Sequence, residues 1–304
     1  MTARIAAAAA WALLLATALP ACSGGAPAAS SAPAPEAASS SAEGQEAAPA
    51  NGAETETPDA EATPADGAAQ SDGETKMVCT DATYAPFEWE EDDGSIVGFD
   101  VDLMNAIAAN QGMKIQYKNV PWDGIYLRVQ NGECDYLISA STITDERKQV
   151  VSFSEPYYQV TQVALVPKGK SLKTADDLKS FGRIGVVNSQ TSDLELQKVF
   201  GPTSDKIARY DSLPLVFKEL IAGGVEALVA DSAAVAYYAK ENKDEKLNRF
   251  EIVNLEGFPK EDYGIAARIG DDAALAKINA GLKALRENGE RDKIDQRYFP
   301  KRPQ

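Results

Sequence analysis

Twice along the chain, apolar runs of strand length alternate with segments of helical periodicity that glycine brings to a stop, and few folds accommodate that alternation. In the first passage "MVCT" reads as a strand. "FDVDLMNAIAANQG" then places Val101, Met104, Ile107 and Ala108 on one helical face and stops at Gly112. "MKIQYKNV" alternates as a strand does, "DGIYLRVQNG" is a short helix and "DYLIS" a buried strand. This is βαβαβ, the pattern of a parallel sheet covered by helices.

After "TQVALVPKG" the pattern recurs. Thr174 with Asp177 forms a capping box, "RIGVV" and "EALVA" are strands, and "TSDLELQKVF" and "DSLPLVFKELIAGG" are helices. Two helices close the chain, the first with Leu275, Ile278, Leu282 and Leu285 at helical spacing. The expected fold class is α/β, with two lobes that are each a sheet flanked by helices.

The chemistry available is narrow. The chain has no histidine, which removes the usual triad base and the commonest zinc ligand, and neither a G-x-S-x-G elbow nor a phosphate-binding P-loop occurs. No metal or cofactor is expected. A formal charge of -16 argues against nucleic acid as a partner.

Residues 1–21 carry one arginine, a long Ala/Leu run and small residues, the form of a secretory signal. The end "LPAC" resembles the lipobox of bacterial lipoproteins, which makes Cys22 the expected lipid anchor to a membrane. Residues 22–75 are Ala, Pro, Ser, Gly and acidic residues, with no aromatic and no Lys or Arg, and read as a disordered tether. The tether holds 10 acidic residues, leaving 36 acidic against 29 basic residues from Lys76 onward. The folded part therefore carries only about -7 of the formal -16.

Cys79 and Cys134 remain as an even pair in an oxidising compartment. If "VCTD" and "DYLIS" are parallel neighbours level at Asp81 and Ser139, the two cysteines are staggered by three residues. That is about 10 Å at strand rise, beyond bridging distance. The reading favours two thiols.

In open α/β sheets, ligands sit beyond the carboxyl ends of the strands. Here those ends deliver Asp81, Ser139 with Thr142 and Arg147, Asn188 to Thr191, and Asp231. Taken singly, each has a bland alternative. Arg147 in "TDERK" is a solvated cation, Asp231 a helix N-cap, and Tyr84 and Trp122 loop packing. Tyr157 and Tyr158 read as core.

Eight elements in register give a further reading: "TDATYAPFEW", "GSIVGFDVDLMNAIA", "PWDGI", "NGECDYLISASTITDERKQVVSFSEPYY", "TADDLKSFGRIGVVNSQTS", "VEALVADSAAV", "EDYGIAA" and "GLKALRENGERDKIDQRYF". Over residues 76 to 299 the chain resembles the solute-binding proteins of amino-acid ABC importers, the family 3 type that includes glutamine-, histidine- and cystine-binding members. The resemblance implies a type II periplasmic-binding-protein-like fold whose lobes are joined by two hinge strands, with lobe 1 formed by 76–163 plus 259–304 and lobe 2 by 164–258. It implies a monomer in the cell envelope, facing the periplasm or the cell exterior, that hands a polar L-amino acid to an ABC permease in the membrane.

Carried over by residue, the resemblance assigns the ligand α-carboxylate to Arg147, with Thr142 and the backbone of Ser139 and Ala140 completing that site and Thr191 joining from the second lobe. Asp231 takes the α-ammonium. Tyr84 and Trp122 wall the side-chain pocket and Asp81 points a carboxylate into it, which favours arginine, then glutamine or cystine. One departure concerns "NSQTS", where Gln190 stands in place of the glycine expected before the threonine. Two other functions remain in view: an enzyme of amino-acid dehydratase type on the same scaffold, and a surface adhesin that keeps the fold.

Overall fold

The computed structural model describes residues 74–300. The leader, Cys22 and the tether up to residue 73 lie outside the described residues. Among the described residues no helix is long and apolar enough to cross a membrane.

The first alternation builds a five-stranded sheet in the order Ile115–Asn119, Lys76–Thr80, Tyr136–Leu137, Ala266–Ala267, Ser152–Phe153. The first three strands are parallel, and Ala266–Ala267 runs antiparallel to both its neighbours. Helix Phe99–Asn110 buries Val101, Met104, Ile107 and Ala108, the face that its spacing predicts, and Leu103 besides. It packs on helix Asp272–Glu287 at close range. A Cβ on Gly281 would lie 2.7 Å from Ile107 Cγ2, so only glycine fits that crossing.

The second alternation builds a six-stranded sheet. Its parallel strands Ile207–Tyr210, Ile184–Val187 and Ala227–Asp231 continue antiparallel into Tyr158–Pro167 and then Phe250–Asn254. Thr174 and Asp177 form the expected capping box, on a 3-10 turn, Ala175–Ser180.

Strand Tyr158–Pro167 has two sets of partners. Its first four residues pair with Lys260–Tyr263, and from Gln162 onward it lies between Ala227–Asp231 and Phe250–Asn254. Where these strands leave the first sheet, Phe87 stacks edge-on against Tyr158 and Tyr263 with centroids 5.0 and 5.2 Å away, and Phe99 meets Phe299 at 5.2 Å. Tyr157 and Tyr158 belong to this core, as their sequence position suggests. Each buried ring contributes about 2–3 kcal/mol by area.

The two-thiol expectation is wrong, because Cys79 and Cys134 are joined in a disulfide with Cα atoms 5.8 Å apart. The assumed register is the observed one, with Cys79 opposite Leu137. Cys134, however, precedes a strand of only two residues. The Glu133 and Cys134 amides both fold back onto Arg128 O, at 2.8 and 3.3 Å. A turn does not advance at strand rise, so the stagger collapses to bridging distance.

Candidate functional site

The strand ends converge as the sheet geometry requires, and the nine residues singled out from the sequence line two adjoining cavities. Asp81, Tyr84 and Ser139 line one; Ala140, Thr142, Arg147, Thr191 and Asp231 line the other; Trp122 belongs to both. Gln190 also lines both. On the far side of Arg147 a groove of about 1150 Å³ opens outward, bordered by Tyr126 and Glu261.

Arg147 begins a single 3-10 turn, Arg147–Gln149, and is 8% exposed. Its Nη1 donates to Thr142 O at 2.8 Å and its Nη2 to Ser189 O at 3.4 Å. The guanidinium carbon lies 5.2 Å from the Trp122 ring centre and 5.1 Å from that of Tyr126. Among the described residues no carboxylate comes within ion-pair range of it. The ring contacts and carbonyl acceptors hold a buried cation in place and leave it able to take an anion.

Asp231 ends the strand Ala227–Asp231 and starts helix Ser232–Glu241, but its side chain makes no capping bond. Its Oδ2 accepts from the Tyr84 hydroxyl at 2.9 Å and from the Tyr263 hydroxyl, and its Oδ1 accepts from Gln162 Nε2. Burial raises its pKa; the bonds from Tyr263, Tyr84 and Gln162 and the Arg147 charge oppose that rise.

Asp81 accepts from Thr83 Oγ1 at 2.9 Å and from the Trp122 amide at 3.1 Å. Burial pushes its pKa up, and these two bonds restrain it. It too has no ion-pair partner among the described residues. Ser139 serves a neighbour: its Oγ accepts from the Asp81 amide and donates to Glu88 Oε1. Ala140 has a left-handed φ of 43°, and its amide donates to Asp100 Oδ2 at 2.8 Å. The left-handed residue of "NSQTS" is Ser189, with φ of 59°, whereas Gln190 is extended and lies at the rim of the cavities.

Two groups of residues escaped the sequence reading. Beneath the Ser139–Ala140 loop lie Glu88 and Asp100, both fully buried. Glu88 Oε2 and Asp100 Oδ1 find no hydrogen-bond partner among the described residues, an arrangement that favours a protonated carboxyl in the pair. Burial holds Glu88 well above the usual range and the Asp100 charge adds to this; burial raises Asp100 to about 6. The second group centres on Glu261 of the strand Lys260–Tyr263. Its Oε2 accepts from Thr191 Oγ1 at 2.7 Å, Thr142 Oγ1 at 3.0 Å and Gln162 Nε2 at 3.2 Å. The signal was present in "KEDY", where period two puts Glu261 on the same buried face as Tyr263.

The comparisons agree with this geometry. The model of the bacterial extracellular solute-binding proteins, family 3, matches residues 77–301. A probable histidine-binding protein of Neisseria gonorrhoeae is 44% identical over 233 residues, 77% of this chain and 86% of that protein. The solved arginine-, lysine-, histidine-binding protein ArtJ of Geobacillus stearothermophilus is 37% identical. The match covers 76% of this chain and 97% of that one, with a TM-score of 0.70. An ancestral amino acid-binding protein described as a precursor of cyclohexadienyl dehydratase is 34% identical, with coverage of 74% and 95% and a TM-score of 0.66. The fold is thus the type II periplasmic-binding-protein fold that the sequence resemblance implies.

Proposed function

The chain belongs to the bacterial extracellular solute-binding proteins of family 3, and from that premise we propose that it captures a polar L-amino acid, with a basic one preferred, and delivers it to an ABC importer. Two lobes, 76–163 with 259–304 and 164–258, close on the ligand about the strands Tyr158–Pro167 and Lys260–Tyr263. Cys22 anchors the receptor to a membrane by lipid.

The observation that carries the reading is a set of buried charged groups that make no direct ion pair among the described residues. Arg147 faces the inner cavity with no carboxylate paired to it, and Asp231 faces the same cavity with only neutral donors. A buried charge is costly unless something pairs with it. An α-amino acid supplies both ions, its carboxylate to Arg147 in a two-pronged pair and its ammonium to Asp231. The adjoining cavity repeats the argument with Asp81, and the Tyr84 and Trp122 rings beside it suit a planar cation such as guanidinium. Glutamine and cystine follow: the glutamine amide offers donors to Asp81 without the charge, and the ammonium on the far half of cystine comes with a carboxylate beside it.

A thermal-shift screen against the common amino acids and cystine, on protein unfolded and refolded to strip ligand, tests the reading. A ligand that binds only the native state raises the melting temperature, and the largest shift is expected for arginine or another basic amino acid. No shift with any of them would remove the receptor reading. Product formed from an amino acid on incubation would favour an enzyme instead, the reading that the dehydratase precursor keeps open.

A further inference from the structure

We propose that Glu261 is a positioning residue for ligand recognition: it takes the hydroxyl protons of Thr142 and Thr191, so that both oxygens face the inner cavity as acceptors. The inference rests on the amino-acid receptor reading and changes the role of the threonines within it. Each threonine hydroxyl has one proton, and both protons are directed at a single oxygen, Glu261 Oε2. Thr142 and Thr191 also line the inner cavity beside Asp231. A hydroxyl that donates on one side presents only lone pairs on the other.

The threonine oxygens therefore join the Asp231 carboxylate as acceptors for an α-ammonium, which brings three donors. The carboxylate is left to Arg147. Gln162 reinforces the arrangement. Its Nε2 lies in reach of Asp231 Oδ1, Thr191 Oγ1 and Glu261 Oε2, and as a donor to Thr191 Oγ1 it takes one lone pair of that hydroxyl and leaves the hydroxyl proton for Glu261. The same oxygen also ties together three separate chain segments, the loop after Tyr136–Leu137, the start of helix Thr191–Phe200 and the strand Tyr158–Pro167.

The Glu261→Leu variant tests this. Leucine keeps much of the side-chain volume and offers no acceptor, so both threonine protons are free to turn toward the cavity. Titration calorimetry with L-arginine, L-histidine, L-glutamine and L-cystine first establishes which of them the wild type binds; binding none removes the receptor reading and the inference with it. For a bound ligand, E261L is expected to weaken affinity about tenfold or more. In a T142V/T191V background, which lacks both hydroxyls, E261L should cost no more than about threefold further, since Glu261 acts through them. A loss as large in that background as in wild type would mean that Glu261 contributes only to structure, and E261L affinity equal to wild type would show that the proton direction is immaterial; either outcome overturns the proposal. If E261L melts too low to assay, E261D, whose carboxylate stops one methylene short of the threonines, enters the same cycle with the same expectations.

Discussion

The Tyr84 hydroxyl donates to Asp231 Oδ2 at 2.9 Å, joining residues 147 positions apart, one beyond the end of the first sheet's strand Lys76–Thr80 and the other at the end of a second-sheet strand. The bond stabilises the charged form of a carboxylate that burial otherwise drives toward neutrality. Tyr84→Phe should therefore weaken amino-acid binding about threefold to tenfold at neutral pH. Asp231 is useful only when ionised, and loss of a donor raises its pKa further, so it takes up a proton at higher pH. The deficit should widen as pH falls from 8 to 5.5 in calorimetric titrations. A deficit that stays constant with pH would separate Tyr84 from the ionisation of Asp231.

Arg147→Ala should weaken binding of any α-amino acid by more than about tenfold, because a buried carboxylate loses its charge-assisted partner. Arg147→Lys should not restore it. An ammonium cannot make two parallel bonds to a carboxylate while lying flat between Trp122 and Tyr126. Equilibrium titration of both variants with the best ligand checks this, and recovery with lysine would mean that charge alone suffices.

Asp81→Asn keeps the shape of the side-chain cavity and removes its charge. Arginine should lose about tenfold more affinity than glutamine, since only the cation depends on the ion pair. Competition between the two ligands on wild type and variant reads the change in ranking directly.

Burial and the neighbouring Asp100 raise the Glu88 pKa in the folded protein well above the value of about 4.3 that it has in an unfolded chain. The stability it contributes is full below that value and is lost as pH rises toward its folded pKa, by about 1.4 kcal/mol per pH unit for one proton. Glu88→Gln imitates the protonated side chain: its amide can donate to Asp100 and its carbonyl can accept from Ser139. At pH 5 wild type and variant should melt within a few degrees of each other; at pH 8 the variant should melt higher. Parallel melting curves across that range would show that the Glu88 pKa is not raised.

The Cys79–Cys134 bridge closes a loop with a sequence separation of 55, which by chain entropy contributes about 4 kcal/mol. For a domain of this size its removal corresponds to a fall in melting temperature on the order of 10 °C. Replacing both cysteines by serine should show that fall with ligand selectivity unchanged, because neither cysteine lines the cavities.

The architecture was legible in the sequence because it rests on local rules. Hydrophobic period, the Thr174–Asp177 capping box and glycine stops identify helices and strands without reference to distant residues, and strand ends in an α/β sheet say where a ligand sits. Period, cap and strand end likewise singled out Asp81, Arg147 and Asp231 as side chains gathered at one place. What period and strand rise could not supply was the turn that brings Cys134 back to Cys79, since a turn's reach is not a count of residues. Nor could they reveal that Glu88 and Asp100 are both fully buried, or that the protons of Thr142 and Thr191 are spent on Glu261. A carboxylate reads as a surface group until tertiary packing removes its water; only then do its few remaining donors decide which way the neighbouring protons point.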